Sequence, residues 1–493
     1  MSFQSLEYAL FFPICALVYF ILPGKRENML KNIWLCLASY YFYMSSNPLY
    51  GIFLVYVTAV TYGLGLFFDK KKDGSAKSKA ITVFSVLVTI LPLLVFKYSN
   101  FFLRNVNIIT RRIGLGNFSE LDILLPVGIS FYTFAALGYV LDVRKDKIEA
   151  EKNVLNYALF VSFFPAILSG PIERAGHLIP QFKDEHKFDT DRIKNGFLLM
   201  LWGYFMKFVL SNRVAVFVDK VFNENASFVG TYSVLAVLLY SLQIYFDFAS
   251  YSYMALGTGE IMGFRLISNF ERPYLAGSIA DFWRRWHISL TSFFRDYVYI
   301  PLGGNRKGRL RKYINILIVF AVSGLWHGAS WNFIFWGLLN GAFQVIGDLL
   351  KGIRKAVGNA IGMKEECFSH KFFQTVVTFL LASFAWVFFR ADSFRNALVM
   401  IKSCFVYNPW VLFDGSILDM GLKAFDIFII LASLCIVLCV SLMNEKGIVI
   451  REKIESQEIW FKWLFYIAAI LTVLVFGMYG PSYNSSDFIY FKF

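Results

Sequence analysis

Twelve apolar runs, separated by short and often basic loops, constrain this chain more than any other feature of its sequence. Hydrophobic residues make up 57% of it and charged residues only 17%, against about 25% charged in an average soluble protein. Apolar runs of such length belong in lipid, where only helices and closed barrels satisfy every backbone hydrogen bond. The sequence therefore predicts an all-α polytopic membrane protein. The runs cover residues 6–22, 30–45, 49–68, 80–97, 123–141, 154–169, 196–211, 231–256, 313–349, 372–389, 421–442 and 459–479.

The lengths of the runs predict how each segment meets the bilayer. A hydrocarbon core of about 30 Å needs about 20 helical residues, and several runs are shorter. We predict about 11–12 transmembrane helices, with re-entrant and interfacial helices in addition. The run 154–169 is the predicted re-entrant piece, and 257–312 is the predicted interfacial segment. Without an internal repeat, residues 1–493 form one membrane domain, which closes with a C-terminal helix and aromatic tail at 457–493.

The chain carries a net charge of +14, from 48 Lys and Arg against 34 Asp and Glu. These basic residues stand mainly in loops between apolar runs, where they orient the helices and contact anionic lipid. The bilayer is thus the expected partner, and nucleic-acid binding is not expected. Counting crossings between the basic loops places the N-terminus on the extracytoplasmic side and, if 313–349 reverses once, the C-terminus there as well.

The interfacial segment combines an aromatic stripe with basic residues. The stripe recurs at helical spacing and consists of Phe282, Trp286, Leu290, Phe293 and Tyr297. Arg284 and Arg285 lie off it, which predicts an interfacial helix, or a helix pair, that dips into the bilayer. The basic residues at 306–312 are either a cytoplasmic anchor or a docking site for an anionic donor, such as the phosphates of coenzyme A or an acidic carrier protein.

His327 is the strongest candidate for chemistry. It lies in the segment 313–349, and from Ile314 to Asn340 the chain has no Asp, Glu, Lys or Arg. An ionisable group at membrane depth is costly and indicates function, although a histidine on an apolar helix is often structural. Gly324 and Gly328 on either side let the helix break or a ligand approach, which favours function. A buried imidazole stays neutral and can take a proton from an attacking hydroxyl, so we predict a general base for acyl transfer.

Other polar residues in apolar surroundings are weaker candidates. His287 is either an interfacial histidine or a second polar group on the cytoplasmic approach to His327. Asp247 interrupts an apolar run, and pairing with a buried arginine is a better explanation for it than catalysis. The chain has neither a G-x-S-x-G nor a P-loop motif. The six cysteines form no C-x-x-C pair, and Cys435 and Cys439, one helical turn apart, have no His or carboxylate beside them, so no metal site is expected.

The closing sequence GPSYNSSDFIYFKF (480–493) is unusual for a tail because it ends in aromatic residues. Its length allows it to fold back toward the centre of the protein. It either anchors at the membrane interface or presents Tyr490 to the reaction centre.

Three stretches resemble the membrane-bound O-acyltransferase family, most nearly its alginate O-acetyltransferase group. They are NFERPYLAGSIADFWRRWHISLTSFFRDYVYIPLGGNR (269–306), SGLWHGASWNFIFWG (323–337) and the closing FIYFKF. YFDFASYSYMALG (245–257) fits the same group, and the resemblance extends over essentially the whole chain. It is specific, because FWRRWH and WHG occur together.

The resemblance implies a helical bundle with a central tunnel in a bacterial cytoplasmic membrane. It also implies transfer of an acyl group, most simply acetyl, from a cytoplasmic thioester such as acetyl-CoA across the bilayer, with no bound cofactor. An extracytoplasmic partner of the SGNH-hydrolase kind would then place the group on a polysaccharide. His327 matches the family's WHG histidine, and His287 matches its second histidine.

The same resemblance implies roles for further residues. A small partner of the teichoic acid D-alanyl transferase ends in a similar F-x-Y-F sequence, so Tyr490 is a candidate transient acyl acceptor. The candidate tunnel or supporting residues are Asp247, Trp326, Asn332, Arg284 and Arg285. Lys492 departs from the glutamine often found in relatives.

Two alternatives remain. The first is a D-alanyl transferase of the teichoic acid type, which takes its acyl group from a carrier protein. The second is a transporter or flippase, which would have ionisable residues along a pathway and usually two related halves. The sequence has neither feature, which disfavours the transporter or flippase.

Overall fold

The computed structural model describes residues 1–24, 28–70, 79–479 and Ile489. Within these ranges the chain is helical and forms no β-strand, apart from an isolated bridge between Phe270 and Trp286. The predicted all-α class is confirmed.

Twenty-two α-helices follow one another in the described part of the chain. The first nine are α1 (Leu6–Ile21), α2 (Met29–Met44), α3 (Tyr50–Lys70), α4 (Lys79–Leu93), α5 (Ser99–Arg112), α6 (Ile129–Arg144), α7 (Val154–Ser162), α8 (Phe164–Ile167) and α9 (Ala175–Gln181). The next six are α10 (Thr190–Tyr204), α11 (Asn212–Asn223), α12 (Thr231–Met262), α13 (Ile279–Arg285), α14 (Ile288–Phe294) and α15 (Gly308–His327). The last seven are α16 (Trp331–Leu349), α17 (Lys351–Ala360), α18 (Phe368–Arg390), α19 (Phe394–Ser403), α20 (Ala424–Glu445), α21 (Ile450–Glu455) and α22 (Ile459–Phe476). Wider π-helical turns occupy Leu94–Tyr98, Phe205–Ser211 and Arg295–Tyr299.

Seven helical stretches in the described ranges are long and apolar enough to cross a membrane, and the bent pair α16 and α17 makes an eighth if it counts as one span. Other apolar helices are shorter: α1 has 16 residues and rises only about 24 Å. Large apolar side chains such as Leu6, Phe428 and Val475 lie on the protein surface, where lipid is the solvent that suits them. The chain is a multispanning membrane protein, and the count of 11–12 crossings stays a prediction.

The chain forms two compact units. The first unit comprises Met1–Met200 and Met254–Ser268, and the second comprises Leu201–Tyr253 and Asn269–Phe493. Helices α10 and α12 each contribute residues to both units. A single membrane domain over 1–493 stays a prediction.

Buried tyrosine and asparagine side chains hold the first unit together. Tyr157 of α7 is fully buried, and its hydroxyl donates to Thr61 Oγ1 at 2.6 Å. Asn32 of α2 donates to Asn156 Oδ1 at 3.0 Å. The predicted re-entrant piece is helical but breaks at Phe163 between α7 and α8, so it is too short to span a bilayer as one helix.

A carboxylate and a histidine interact next to this piece, outside the candidate spans. Glu173 accepts the Ile267 N–H at 2.7 Å and contacts His177 Nδ1 at 2.9 Å. The hydrogen bond with Glu173 raises the pKa of His177, and burial raises the pKa of the Glu173 carboxyl. The pair joins α9 to the chain that follows α12.

The second unit is centred on aromatic rings from three helical regions. We call Phe282, Trp286, Trp336, Trp386 and Phe389 the aromatic cluster. Phe282 stacks on Trp286 at 5.4 Å between ring centroids, and Trp336 stacks on Trp386 at 5.4 Å. Trp286 joins the two pairs through its contact with Trp386 at 5.0 Å. The cluster thus connects α13, α16 and α18 around the residues considered next.

Candidate active site

A sharp reversal of the chain places His327 at the last position of α15. Gly328 follows with extended backbone, and its N–H closes the helix on the Gly324 carbonyl at 3.2 Å. Ser330 precedes the first residue of α16. The run predicted as the catalytic segment is therefore a helical hairpin with the histidine at its tip.

Two glycines allow the helices of this hairpin to touch backbone to backbone. A Cβ atom added at Gly324 would lie 2.1 Å from the Phe333 carbonyl oxygen, and one added at Gly337 would lie 2.1 Å from the Phe320 carbonyl oxygen. No side chain fits at such distances. This close crossing lies one turn before His327. It therefore fixes the position of the His327 backbone relative to α16.

Aromatic rings surround the His327 imidazole, which is only 2% exposed. The Trp326, Trp336 and Phe389 ring centroids lie 4.9, 5.1 and 5.5 Å from its centroid, all near perpendicular to it. The His287 ring lies 6.3 Å away. The site thus presents two imidazoles within a largely apolar shell.

His287 occupies a turn in the left-handed backbone region, with φ at 45°, between α13 and α14. This conformation is uncommon for a residue with a side chain and occurs preferentially at functional sites. Asn269 holds the turn: its carbonyl accepts the Ile288 N–H at 3.0 Å, and its Oδ1 accepts the Ser289 hydroxyl at 2.6 Å. The imidazole is fully buried, 4.7 Å from the Phe248 ring centroid.

The predicted stripe and its flanking arginines lie on different sides of α13 and α14. Phe282 and Trp286 are buried in the aromatic cluster, so this part of the stripe packs against protein, and the dipping of the helix pair into the bilayer stays a prediction. Arg284 is exposed, 3.6 Å from Asp281. Arg285 contacts Asp281 and Glu445, so both guanidinium groups take part in ion pairs near the surface.

Asp247 is 1% exposed in the middle of α12, and Lys207 Nζ approaches its Oδ1 to 2.6 Å. The expectation of an arginine partner is therefore wrong, because the cation is a lysine of the π-helical turn. Sequence reasoning missed Lys207, although it interrupts an apolar run just as Asp247 does. The other carboxylate oxygen, Oδ2, accepts the backbone N–H of Ile489 at 2.8 Å.

The remaining candidates take different positions. Trp326 contacts both histidine rings, at 4.9 and 5.8 Å. Asn332 donates to the Ala391 carbonyl at 2.9 Å and so ties the start of α16 to the end of α18. Tyr490 lies outside the described residues.

The basic residues at 306–312 are largely exposed. Lys312 pairs with Asp348 at 2.7 Å across the α15–α16 hairpin. The other basic residues of this stretch stay candidates either for a cytoplasmic anchor or for a donor-docking site. Within the described ranges no three His, Cys, Asp or Glu side chains converge, and two imidazoles are too few for the usual protein metal site.

Comparison with known proteins identifies relatives of the chain. The sequence profile of the membrane-bound O-acyltransferase family matches residues 146–391, which include both histidines and the Lys207–Asp247 pair. The probable alginate O-acetylase of Pseudomonas aeruginosa is 35% identical over 404 residues, which is 82% of this chain and 74% of that protein. The peptidoglycan O-acetyltransferase of Helicobacter pylori is 35% identical over 419 residues, which is 80% of this chain and 77% of that protein.

A further similarity covers less of the sequence. The teichoic acid D-alanyltransferase of Bacillus subtilis is 31% identical over 228 residues, which is 43% of this chain and 56% of that protein. The acetyltransferases therefore resemble this chain over nearly twice the length.

Proposed function

Because the chain belongs to the membrane-bound O-acyltransferase family, we propose that it moves an acetyl group from a cytoplasmic thioester across the membrane for O-acetylation of a cell-surface polysaccharide. It is an acyltransferase of the membrane, related to alginate and peptidoglycan O-acetylases. The observation that carries the proposal is the His327–His287 pair, 6.3 Å apart in a buried aromatic shell. The bacterial cytoplasmic membrane is the location that suits such a route.

His327 is the general base in this proposal. Its unprotonated nitrogen takes the proton of an acceptor hydroxyl while that oxygen attacks the thioester carbonyl carbon. The tetrahedral intermediate then collapses: the carbon–sulfur bond breaks, and the thiolate receives the proton from the imidazolium. His287 is close enough to donate an N–H to the carbonyl oxygen as negative charge develops there. The surrounding rings exclude water, which would otherwise hydrolyse the thioester.

Acetyl-CoA is the proposed donor. Exposed basic residues at 306–312 lie at the start of α15, the helix that ends at His327, and their charge suits the phosphates of coenzyme A. The enzyme needs no bound cofactor in this scheme, because the donor itself carries the activated carbonyl.

An extracytoplasmic partner completes the proposed route. A protein of the SGNH-hydrolase kind would take the acetyl group and place it on the polysaccharide, with Tyr490 as a transient acceptor between the two. The names of the relatives support a carbohydrate polymer as the final acceptor, since alginate and peptidoglycan both carry free hydroxyls.

D-alanyl transfer is the second candidate, and the match to the Bacillus subtilis enzyme supports it. Acetyl transfer is favoured because the O-acetylases match over 82% and 80% of this chain, against 43% for the D-alanyl enzyme. A flippase has no support among these relatives.

The donor distinguishes the two candidates. We expect membrane vesicles with the cytoplasmic face outward to incorporate label from acetyl-CoA and not from a D-alanyl carrier protein. Mass analysis of surface glycans from cells with and without the chain gives the independent measurement. Loss of acetyl ester on deletion supports the proposal, while loss of D-alanyl ester, or no change in either ester, contradicts it.

Replacing Tyr490 with Phe tests the proposed acceptor. The substitution keeps the ring and removes the hydroxyl, so we expect polymer acetylation to fall to background while the protein level is unchanged. Tyr479→Phe is a suitable control, because that tyrosine precedes the tail and its hydroxyl donates to the Leu474 carbonyl. Full activity of the Tyr490 variant would reduce the tail to a structural element.

A further inference from the structure

The Lys207–Asp247 pair is almost completely buried. Their side chains are 0% and 1% exposed. Removing two charges from solvent is expensive, and their attraction offsets that cost only where further hydrogen bonds satisfy the remaining oxygens and protons. A buried pair of this kind therefore calls for a further partner.

That partner is the main chain near the C-terminus. Asp247 Oδ1 accepts a hydrogen bond from Lys207 Nζ, and its Oδ2 accepts one from the backbone N–H of Ile489 at 2.8 Å. Ile489 is itself buried, with 8% exposure. Because the donor is a backbone amide, this hydrogen bond depends on the position of the main chain and not on the isoleucine side chain.

The segment that carries Lys207 also holds the chain just after α22. The Phe208 carbonyl accepts the Met478 N–H at 2.9 Å, and Asn212 Nδ2 donates to the Met478 carbonyl at 2.9 Å. Arg213 donates to the Phe476 carbonyl at 2.9 Å. One stretch, 207–213, thus contributes to both attachment points of the C-terminal region, at 476–478 and at Ile489. The π-helical turn Phe205–Ser211 overlaps this stretch, and such turns are frequent at functional sites.

Asp247, which holds the second attachment point, is one residue along α12 from a ring that contacts the histidine pair. Phe248, the residue after Asp247, contacts the His287 ring at 4.7 Å, and His287 faces His327. Tyr490 is the next residue of the sequence after Ile489, whose amide Asp247 accepts.

We propose that Lys207 and Asp247 form a buried latch that holds the C-terminal tail by its backbone at Ile489 and so positions the tail for acyl transfer at the histidine pair. The positioning role rests on the proposed function, whereas the holding role does not. Asp247 is the acceptor of the latch, and Lys207 orients it through their contact at 2.6 Å. Both are positioning residues, since neither has to touch the acyl group.

Proline at position 489 is the sharpest test because it removes the N–H that Asp247 accepts. Ala at the same position is its matched control: both variants lose the isoleucine side chain, but Ala keeps the N–H. Each change is combined with Tyr490→Cys in the full-length protein, and maleimide labelling at position 490 is followed by peptide mass spectrometry. The peptide readout separates this position from the six native cysteines.

We expect I489P to raise the labelling rate at position 490 by roughly ten- to a hundredfold over I489A, as loss of a buried charge-assisted hydrogen bond would do. Equal rates in the two variants would overturn the latch. This readout needs no acyl transfer, so it is independent of whether the proposed function is correct.

Activity tests the positioning role separately, in variants that keep Tyr490. We expect I489P to lose most polymer acetylation and I489A to retain most of it. Positioning would be overturned if I489P labels faster in the Tyr490→Cys background and yet acetylates the polymer undiminished in the protein that keeps Tyr490.

A double substitution tests the latch from its other side. K207M/D247L replaces the pair by apolar groups of similar size, which avoids leaving one buried charge alone. It should raise labelling at position 490 as I489P does. The control is D219N/R390Q, which removes another ion pair of the second unit, with Arg390 Nη2 and Asp219 Oδ1 2.7 Å apart. An equal rise in the control would mean that general loosening, and not the latch, controls the tail.

Discussion

We expect His327→Gln to lower acyl transfer by roughly a hundredfold to ten-thousandfold, because general acid–base catalysis contributes about that much. Glutamine keeps a polar side chain of similar length at the tip of the hairpin but cannot take a proton. The rings of Trp326, Trp336 and Phe389 would still enclose the position, so the fold should persist. The measurement is transfer of labelled acetyl from acetyl-CoA in vesicles, normalised to the inserted protein.

His370→Gln is the matched control for this experiment. His370 lies on α18, where its Nε2 is 2.8 Å from Gln374 Nε2, and the proposed mechanism gives it no role. We expect that variant to keep full activity. Near-normal transfer by the His327 variant, at normal protein levels, would remove His327 from the mechanism.

The sequence was sufficient to find His327 but not its surroundings. A lone titratable residue in a long apolar segment is a local signal, and the two glycines beside it predicted a break that the structure has at Gly328. The shell depends on His287 and Phe389, which lie 40 and 62 positions away in the sequence. Contacts between such distant residues follow from helix packing, which no local pattern specifies.

The aromatic stripe shows a second limit of sequence patterns. Its helical spacing predicted an interfacial helix or a helix pair, and the structure has the two helices α13 and α14, with Phe282, Trp286 and Leu290 buried. Whether the stripe meets lipid or protein cannot be told from spacing, since both environments are apolar. The left-handed turn at His287 was equally hidden, because glycine, the usual signal for positive φ, is absent there.

The latch combines both kinds of information. Asp247 and Lys207 are each visible as charged residues in apolar runs, yet their pairing is not. The wrong choice of an arginine partner arose because only the positions of charges, and not the register between α12 and the π-helical turn, could be taken from the sequence. The contact with Ile489 joins residues 242 positions apart.

Gly324→Ala should have a large structural effect for a single added methyl group. The new Cβ would lie 2.1 Å from the Phe333 carbonyl oxygen. A Cβ is fixed by its own backbone and the oxygen belongs to the main chain, so no rotamer change can relieve the contact. Helices α15 and α16 must separate, at a cost of about 1–3 kcal/mol or more for overpacking. We expect a clearly lower melting temperature in detergent and reduced acyl transfer.

The activity loss in Gly324→Ala should exceed what the fraction of unfolded protein explains. Gly324 lies one turn before His327, so separating the helices moves the imidazole relative to His287, and a displacement of about 1 Å can lower a rate a hundredfold. Gly347→Ala on α16 is the control, because an added Cβ there meets nothing within 4 Å. Alanine should stabilise that helix by up to about 1 kcal/mol and leave transfer unchanged. Equal melting temperatures for the two variants would show that α15 and α16 can move apart at Gly324 without loss of stability. The close crossing would then not be what fixes the position of His327.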